Sequence, residues 1–312
     1  MKKIAVEEHY GAEALERYLV ARGTPSHYLW GRSSMDRRIK DMDAAGIDMQ
    51  LLSVGMAGLH DVPPAEGTLM SREIDDELAD VVKQYPGRFA GLAAIAPQAL
   101  EAAADELERA VKLGLKGALI KSHVQGEYLD EKKFWVIWER AAGLGVPIYL
   151  HPTRPSPDMI KPYLKYPPLP GAFWGFGAET GLHAMRLICS GVFDRYPDLK
   201  VVLGHLGETL PFWLWRLDNH WDLDWPVKLG GRPQKKPSEY IKSNFFITTS
   251  GMAWPPVIQF VCQVLGGERI LFAVDYPIES NLKAVQSIEN TPISDADKEK
   301  IFHLNAEKVF KL

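Results

Sequence analysis

Two carboxylates and two imidazoles occur in this chain at positions from which a single divalent ion could collect them. Glu7, Glu8 and His9 lie near the N-terminus, His151 in a YLHP stretch and Asp275 in DYP, while His205 and Glu208 sit three residues apart in GHLGE. Residues two apart on a strand share a face, so Glu7 and His9 can bind together while Glu8 points away. The set Glu7, His9, His151 and Asp275 suits a divalent cation such as Zn or Mn and leaves a position for water or substrate. His205 and Glu208 form a second unit. A carboxylate beside an imidazole fixes its tautomer and raises its basicity, giving a general acid/base pair next to the metal. The alternative for His205 is a fifth ligand or a structural hydrogen bond. Asp275 is a ligand and a possible proton donor. A single histidine at a strand end is more often structural, so the inference rests on the order and combination of these motifs.

Such residues need a scaffold that brings distant segments to one place. Eight β-rich runs recur: 4–9, 49–54, 89–96, 117–123, 147–152, 201–206, 245–250 and 270–276. Helix-like stretches such as 71–85, 99–114 and 131–145 separate them. Strands alternating with helices build a parallel sheet, and eight such units predict one α/β domain over 1–312, a (β/α)8 TIM barrel. A doubly wound sheet would want a glycine-rich phosphate loop after its first strand, and EEHYGAEA stands there instead. Barrel chemistry sits at the C-terminal strand ends, where all the residues above fall. In strand one, alternation predicts Ile4 and Val6 facing the helices and Ala5, Glu7 and His9 facing inward. Long insertions after strands five and six distort the barrel. The first, 152–181, holds seven prolines by residue 170, then Phe173, Trp174 and Phe176; the second, 211–226, carries four of the nine tryptophans.

Composition narrows the partners. Thirty-six basic and 40 acidic residues leave a net charge of -4, so no basic excess is available for nucleic acid. Cys189 and Cys262 are the only cysteines, too few for a disulfide framework or a Cys-rich metal site. No apolar run is long enough to span a bilayer, and MKKIAVEEHY does not read as a signal peptide, so a cytoplasmic location is expected. The aromatic segment 209–226, with Phe212, Trp213, Trp215, Trp221, Trp225, Arg216 and Asp218, predicts self-association as a homodimer or homotetramer; the alternative is that it covers the barrel mouth. Arg216 could hold a substrate carboxylate through two hydrogen bonds or form a surface ion pair. His123 and His183 are substrate-pocket candidates, as is His60. His27, His220 and His303 read as surface or packing residues.

The motifs EEH (7–9), RRIKDMDAAGID (37–48), KSHVQGEYLDE (121–131), YLHP (149–152), WGFGAETGLHAMRLI (174–188), LGHLGETLPFWLWRLD (203–218), TTSGMAW (248–254) and DYP (275–277) together resemble the amidohydrolase-related decarboxylases. This is the group that includes aminocarboxymuconate-semialdehyde decarboxylase. The likeness runs nearly end to end and is strongest to the 5-carboxyvanillate, γ-resorcylate and 2,3-dihydroxybenzoate enzymes. It implies nonoxidative decarboxylation of a small aromatic carboxylate without an organic cofactor. By resemblance, Glu7, His9, His151 and Asp275 match the metal positions and His205 and Glu208 the catalytic pair. Arg216 matches an arginine that reaches a neighbouring subunit's substrate. The region 28–38 is shortened relative to the carboxyvanillate pattern, leaving Arg32, Arg37 and Arg38 as candidates for a second substrate arginine. Ile278 replaces a substrate-contacting tyrosine. The runner-up is a metal-dependent superfamily hydrolase of a lactone or amide: such enzymes usually show H-x-H on strand one, but Lys121 near the end of strand four could be carboxylated to bridge two metals. A non-catalytic binding barrel is a third reading.

Overall fold

The computed structural model describes residues 1–23, 35–55, 58–225 and 231–312. Eight staves are present: Ile4–Tyr10, Met49–Val54, Phe89–Gly91 continuing as Ala93–Ala94, Ala118–Lys121, Ile148–His151, Val201–Leu203, Phe245–Thr248 and Ile270–Leu271. They are called strands one to eight. Every neighbouring pair is parallel. Strand three breaks at Leu92, where Leu92 N donates to Leu52 O on one side and Ala93 N to Gly117 O on the other. The ring closes between strands eight and one: Val6 N donates to Phe272 O (3.1 Å), Asp275 N to Glu7 O (3.0 Å) and His9 N to Tyr276 O (2.8 Å). This is the (β/α)8 barrel that the alternation of elements predicts.

The helices follow the apolar pattern. In Glu101–Leu113, Ala103, Ala104, Leu107 and Ala110 form the buried stripe, and Gly114 ends the helix at φ +110°, a conformation other residues rarely adopt. The predicted 71–85 helix is longer, Pro64–Gln84, because Pro64 starts it at a position where a missing N–H costs nothing. The predicted 131–145 stretch is a 3-10 turn, Lys132–Phe134, leading into Trp135–Leu144.

Strand one corrects the expectation for its lower half. Ile4 and Val6 pack inside the barrel with Leu51, Leu119, Tyr149, Val202, Phe246 and Leu271, closed below by Val309 and Phe310. Ala5 belongs to the layer between strands and helices. The cause is a β-bulge: Ala5 pairs with Gln50 and Glu8 with Leu52, so strand one advances three residues while strand two advances two. The extra residue resets the phase, and Glu7 and His9 still face inward.

The two long insertions are present. The first is irregular apart from a 3-10 turn at Lys161–Tyr163 until Trp174, and the helix Gly175–Ser190 then takes up the segment's end. After strand six comes a tight turn at His205–Glu208, then the helix Leu210–Asp224.

Candidate metal centre and acid–base pair

Strands one, five and eight deliver Glu7, His9, His151 and Asp275 to one point. One ligand atom from each lies within 4.8 Å of all the others. His151 Nε2 is 3.0 Å from His9 Nε2 and 3.3 Å from Glu7 Oε1, and His9 Nε2 is 3.2 Å from Asp275 Oδ1. His151 Nδ1 lies 2.9 Å from both Pro152 O and Lys121 Nζ, so Nε2 is the ring nitrogen turned to the cluster. His9 Nδ1 meets Ser53 Oγ at 3.2 Å. Glu7 Oε2 accepts from Tyr149 OH and, at 3.3 Å, from Thr248 Oγ1.

Glu7 Oε1 is buried without a hydrogen-bond donor. A stranded carboxylate oxygen beside two imidazole nitrogens is a poor arrangement in itself and a good one around a cation. The residues therefore fit one divalent ion. Burial would raise Glu7, but His205 and His151 bring it down to about 2. Burial pulls His151 to about 4. Both groups thus favour the ligand form at neutral pH. Asp275 is also held low: His205 and His9 outweigh the burial that would raise it.

His205 and Glu208 form the expected pair, with Nδ1 2.7 Å from Glu208 Oε1. His205 Nε2 then faces the cluster, 3.9 Å from both Glu7 Oε1 and Asp275 Oδ2. Burial opposes the ring's charge, but Glu208, Glu7 and Asp275 hold His205 well above its usual value. His205, Leu206, Gly207, Glu208 and Thr209 all have positive φ, between 49° and 82°. Four of the five are not glycine, and each such residue costs about 1–2 kcal/mol. Strain of this kind persists only where surrounding structure enforces it. Here the enforcement includes the helix Gly175–Ser190: a Cβ on Gly177 would lie 2.9 Å from Glu208 Oε2, and one on Gly181 3.1 Å from Glu208 O.

Residues 25–312 match the family model described as Amidohydrolase. The chain belongs to the amidohydrolase family. Among its relatives, a γ-resorcylate decarboxylase of Polaromonas sp. is 39% identical, over 99% of this chain and 98% of that one. The crystal structure of 5-carboxyvanillate decarboxylase from Sphingomonas paucimobilis superposes with TM-score 0.93 at 36% identity, covering 100% of this chain and 99% of the other. A dihydroxybenzoic acid decarboxylase from Polaromonas, crystallised with manganese and the inhibitor 2-nitroresorcinol, gives TM-score 0.91 at 37% identity, covering 100% and 97%.

Other residues expected from the sequence to serve the site are placed as follows. His183 is fully buried: Nε2 accepts from Leu129 N (3.0 Å) and Nδ1 meets Ser122 Oγ (3.3 Å). His123 Nδ1 accepts from Gly126 N (3.1 Å), which leaves Nε2 to donate to Arg154 O (3.0 Å). Both rings spend their nitrogens on groups of the protein. Lys121 Nζ lies 2.9 Å from His151 Nδ1, behind the metal-facing nitrogen, and burial draws it down to about 7. Arg216 is exposed on the helix Leu210–Asp224 and lines a cavity of about 370 Å³ with Trp213, Trp221 and Trp225. Trp221 is buried and packs against half-buried Trp225, ring centroids 4.9 Å apart and planes tilted by 51°, so the exposed aromatic face is Phe212, Trp213 and Trp215. Asp218 accepts from Ser238 N and Oγ. Arg37 is exposed and 4.0 Å from Asp41. Arg38, by contrast, is wholly buried outside the barrel wall. Arg32 and His27 lie outside the described residues. The left-handed turn and the glycine seat beneath Glu208 were not among the expectations. The spacing of Gly177 and Gly181, four apart on a helix, was the available signal.

Proposed function

We propose that this chain is a metal-dependent, nonoxidative decarboxylase of a phenolic aromatic acid of the hydroxybenzoate or carboxyvanillate type. The convergence of Glu7, His9, His151 and Asp275 beside the His205–Glu208 pair carries this reading. Glu7, His9, His151 and Asp275 would hold one Zn or Mn ion, which would supply Lewis-acid chemistry to an ortho-hydroxy carboxylate. Loss of CO2 directly from the ring would leave an aryl carbanion, so protonation of the ring carbon comes first. A C–H bond forms there, the C–C bond to the carboxylate breaks, its electron pair restores aromaticity, and CO2 departs. Glu208 fixes His205 Nδ1, leaving Nε2 as the mobile proton site. Asp275 Oδ2 lies 3.9 Å from that nitrogen, and either His205 or Asp275 delivers the proton. Water then restores it.

The exposed Phe212 (73%) and Trp215 (78%) support self-association as a dimer or tetramer. Arg216, on the same helix, is then donated across the interface to the partner's substrate carboxylate. The substrate is a small aromatic carboxylate. The two free cysteines agree with a cytoplasmic setting.

The test is to load the protein with Mn and incubate it with γ-resorcylate, 2,3-dihydroxybenzoate and 5-carboxyvanillate, following CO2 and the product phenol. CO2 from at least one is expected. No CO2 from any of them, with the ion bound, sinks the reading. Two ions per subunit with lactone or amide hydrolysis would establish the hydrolase instead.

A further inference from the structure

Three of the four metal-set residues hang on the seam where the barrel closes. Glu7 and His9 come from strand one, and Asp275 follows strand eight. Their spacing depends on how those two segments sit against each other at their upper ends. The seam carries few backbone hydrogen bonds, so side chains behind the wall matter to it.

One guanidinium reaches both sides. Arg38, on the helix Met35–Ala45, donates through Nη2 to the carbonyl of His9. The same guanidinium lies over the Tyr276 ring, 4.5 Å from its centroid, and Tyr276 is the residue after Asp275. Arg38 Nη1 donates to Gln50 Oε1 (3.0 Å), and Gln50 Nε2 donates to Glu8 Oε2 (3.2 Å). Glu8 Oε1 in turn accepts from Val274 N across the seam (2.9 Å). Tyr276 OH donates to Asp41 Oδ2 (2.8 Å), one turn along from Arg38. Arg38, Glu8 and Gln50 are all fully buried. A cation taken wholly out of water is retained only where hydrogen bonds and an opposite charge or π face offset its desolvation.

We propose that Arg38 is a positioning residue for the metal centre, holding the His9 carbonyl and the Tyr276 ring so that His9 and Asp275 keep the separation one ion requires. The inference rests on Glu7, His9, His151 and Asp275 being the ligands. It assigns Arg38 to the support of the site rather than to substrate. Outer partners of this kind typically change metal affinity roughly 10- to 100-fold.

The experiment uses the full chain, stripped of metal and titrated with Mn(II) by calorimetry, with the Mn(II) EPR spectrum recorded at saturation. Thermal unfolding of the metal-free protein reports on packing alone. Arg38→Met keeps much of the stem volume and removes the guanidinium; Arg38→Lys keeps a charge but not the planar fork. Both are expected to fold, to bind Mn roughly 10- to 100-fold more weakly, and to show an altered zero-field splitting. Tyr276→Leu, which removes the opposing ring, is expected to alter the spectrum in the same way, and it decides the matter if the Arg38 variants do not fold. Wild-type affinity and an unchanged spectrum in the folded variants overturn the proposal, as does a loss of thermal stability with the spectrum unchanged. A wild-type protein that binds no Mn(II) overturns the ligand assignment itself, a different failure.

Discussion

Glu208 Oε1 sits 2.7 Å from His205 Nδ1 across a turn in which five successive residues are left-handed. An unstrained backbone would not hold these two side chains in that relation to the cluster. The arrangement commits His205 Nδ1 to Glu208 and turns Nε2 to the cluster. Replacing His205 by Asn should therefore lower kcat on the order of 10²- to 10⁴-fold while leaving one bound ion per subunit. Metal analysis beside turnover checks it, and loss of the ion would make His205 a ligand. Asp275→Asn should lose both turnover and tight metal binding.

The glycine seat gives a subtler prediction. Gly177→Ala places a methyl 2.9 Å from Glu208 Oε2, within a helix that otherwise gains from alanine. Helix content should be retained while Glu208 is displaced, with kcat falling on the order of 10- to 100-fold. Circular dichroism and steady-state kinetics separate the two effects. Unchanged kcat would show that Glu208 relaxes without consequence.

Acid sensitivity should be traceable in part to His183. Burial lowers its pKa from the ordinary 6.5 to about 3. Below pH 6.5 the unfolded chain takes up a proton there and the folded chain does not, so stability falls as pH drops from 6.5 towards 3. The limiting slope is about 1.4 kcal/mol per pH unit. In denaturant titrations of metal-free protein between pH 4 and 6, His183→Gln should show a shallower dependence than wild type. Parallel curves would mean that the ring is protonated in the fold.

Subunit exchange tests the placement of Arg216. Arg216→Ala and Asp275→Asn should each be inactive. An equal, randomly exchanged mixture should recover about a quarter of wild-type activity if the protein is a two-fold dimer, because half the dimers are mixed and each has one intact site. Confirmed mixed dimers without activity would put Arg216 in its own subunit's site or outside the site.

Much of the centre was legible because Glu7, His9, His151 and Asp275 lie near strand ends inside short motifs, and barrel geometry sends strand ends to one place. Glu7 and His9 were read correctly as inward from their spacing, yet the same alternation misplaced Ile4, Ala5 and Val6. A bulge is visible only when residues are counted against the partner strand. Arg38 sits in an Arg-Arg pair on a polar helix, which reads as surface or substrate contact. Its burial depends on Glu8, Gln50 and Tyr276, which come from two strands and the far end of the chain. His123 and His183 looked available because a sequence does not display the backbone groups that occupy their nitrogens. Trp221 and Trp225 looked exposed for a related reason, since their contact depends on how the Leu210–Asp224 helix packs.

The seam between strands one and eight also sets a schedule. Val274 N and Glu8 Oε1, bonded to each other, are 266 positions apart. At ordinary elongation rates the ribosome needs on the order of tens of seconds to span them. For that interval Glu7 and His9 have been made and Asp275 has not. The emerging chain therefore offers passing cations an incomplete set of donors, which disfavours capture by whichever ion arrives first. An ion that needs all four groups waits for the last stave.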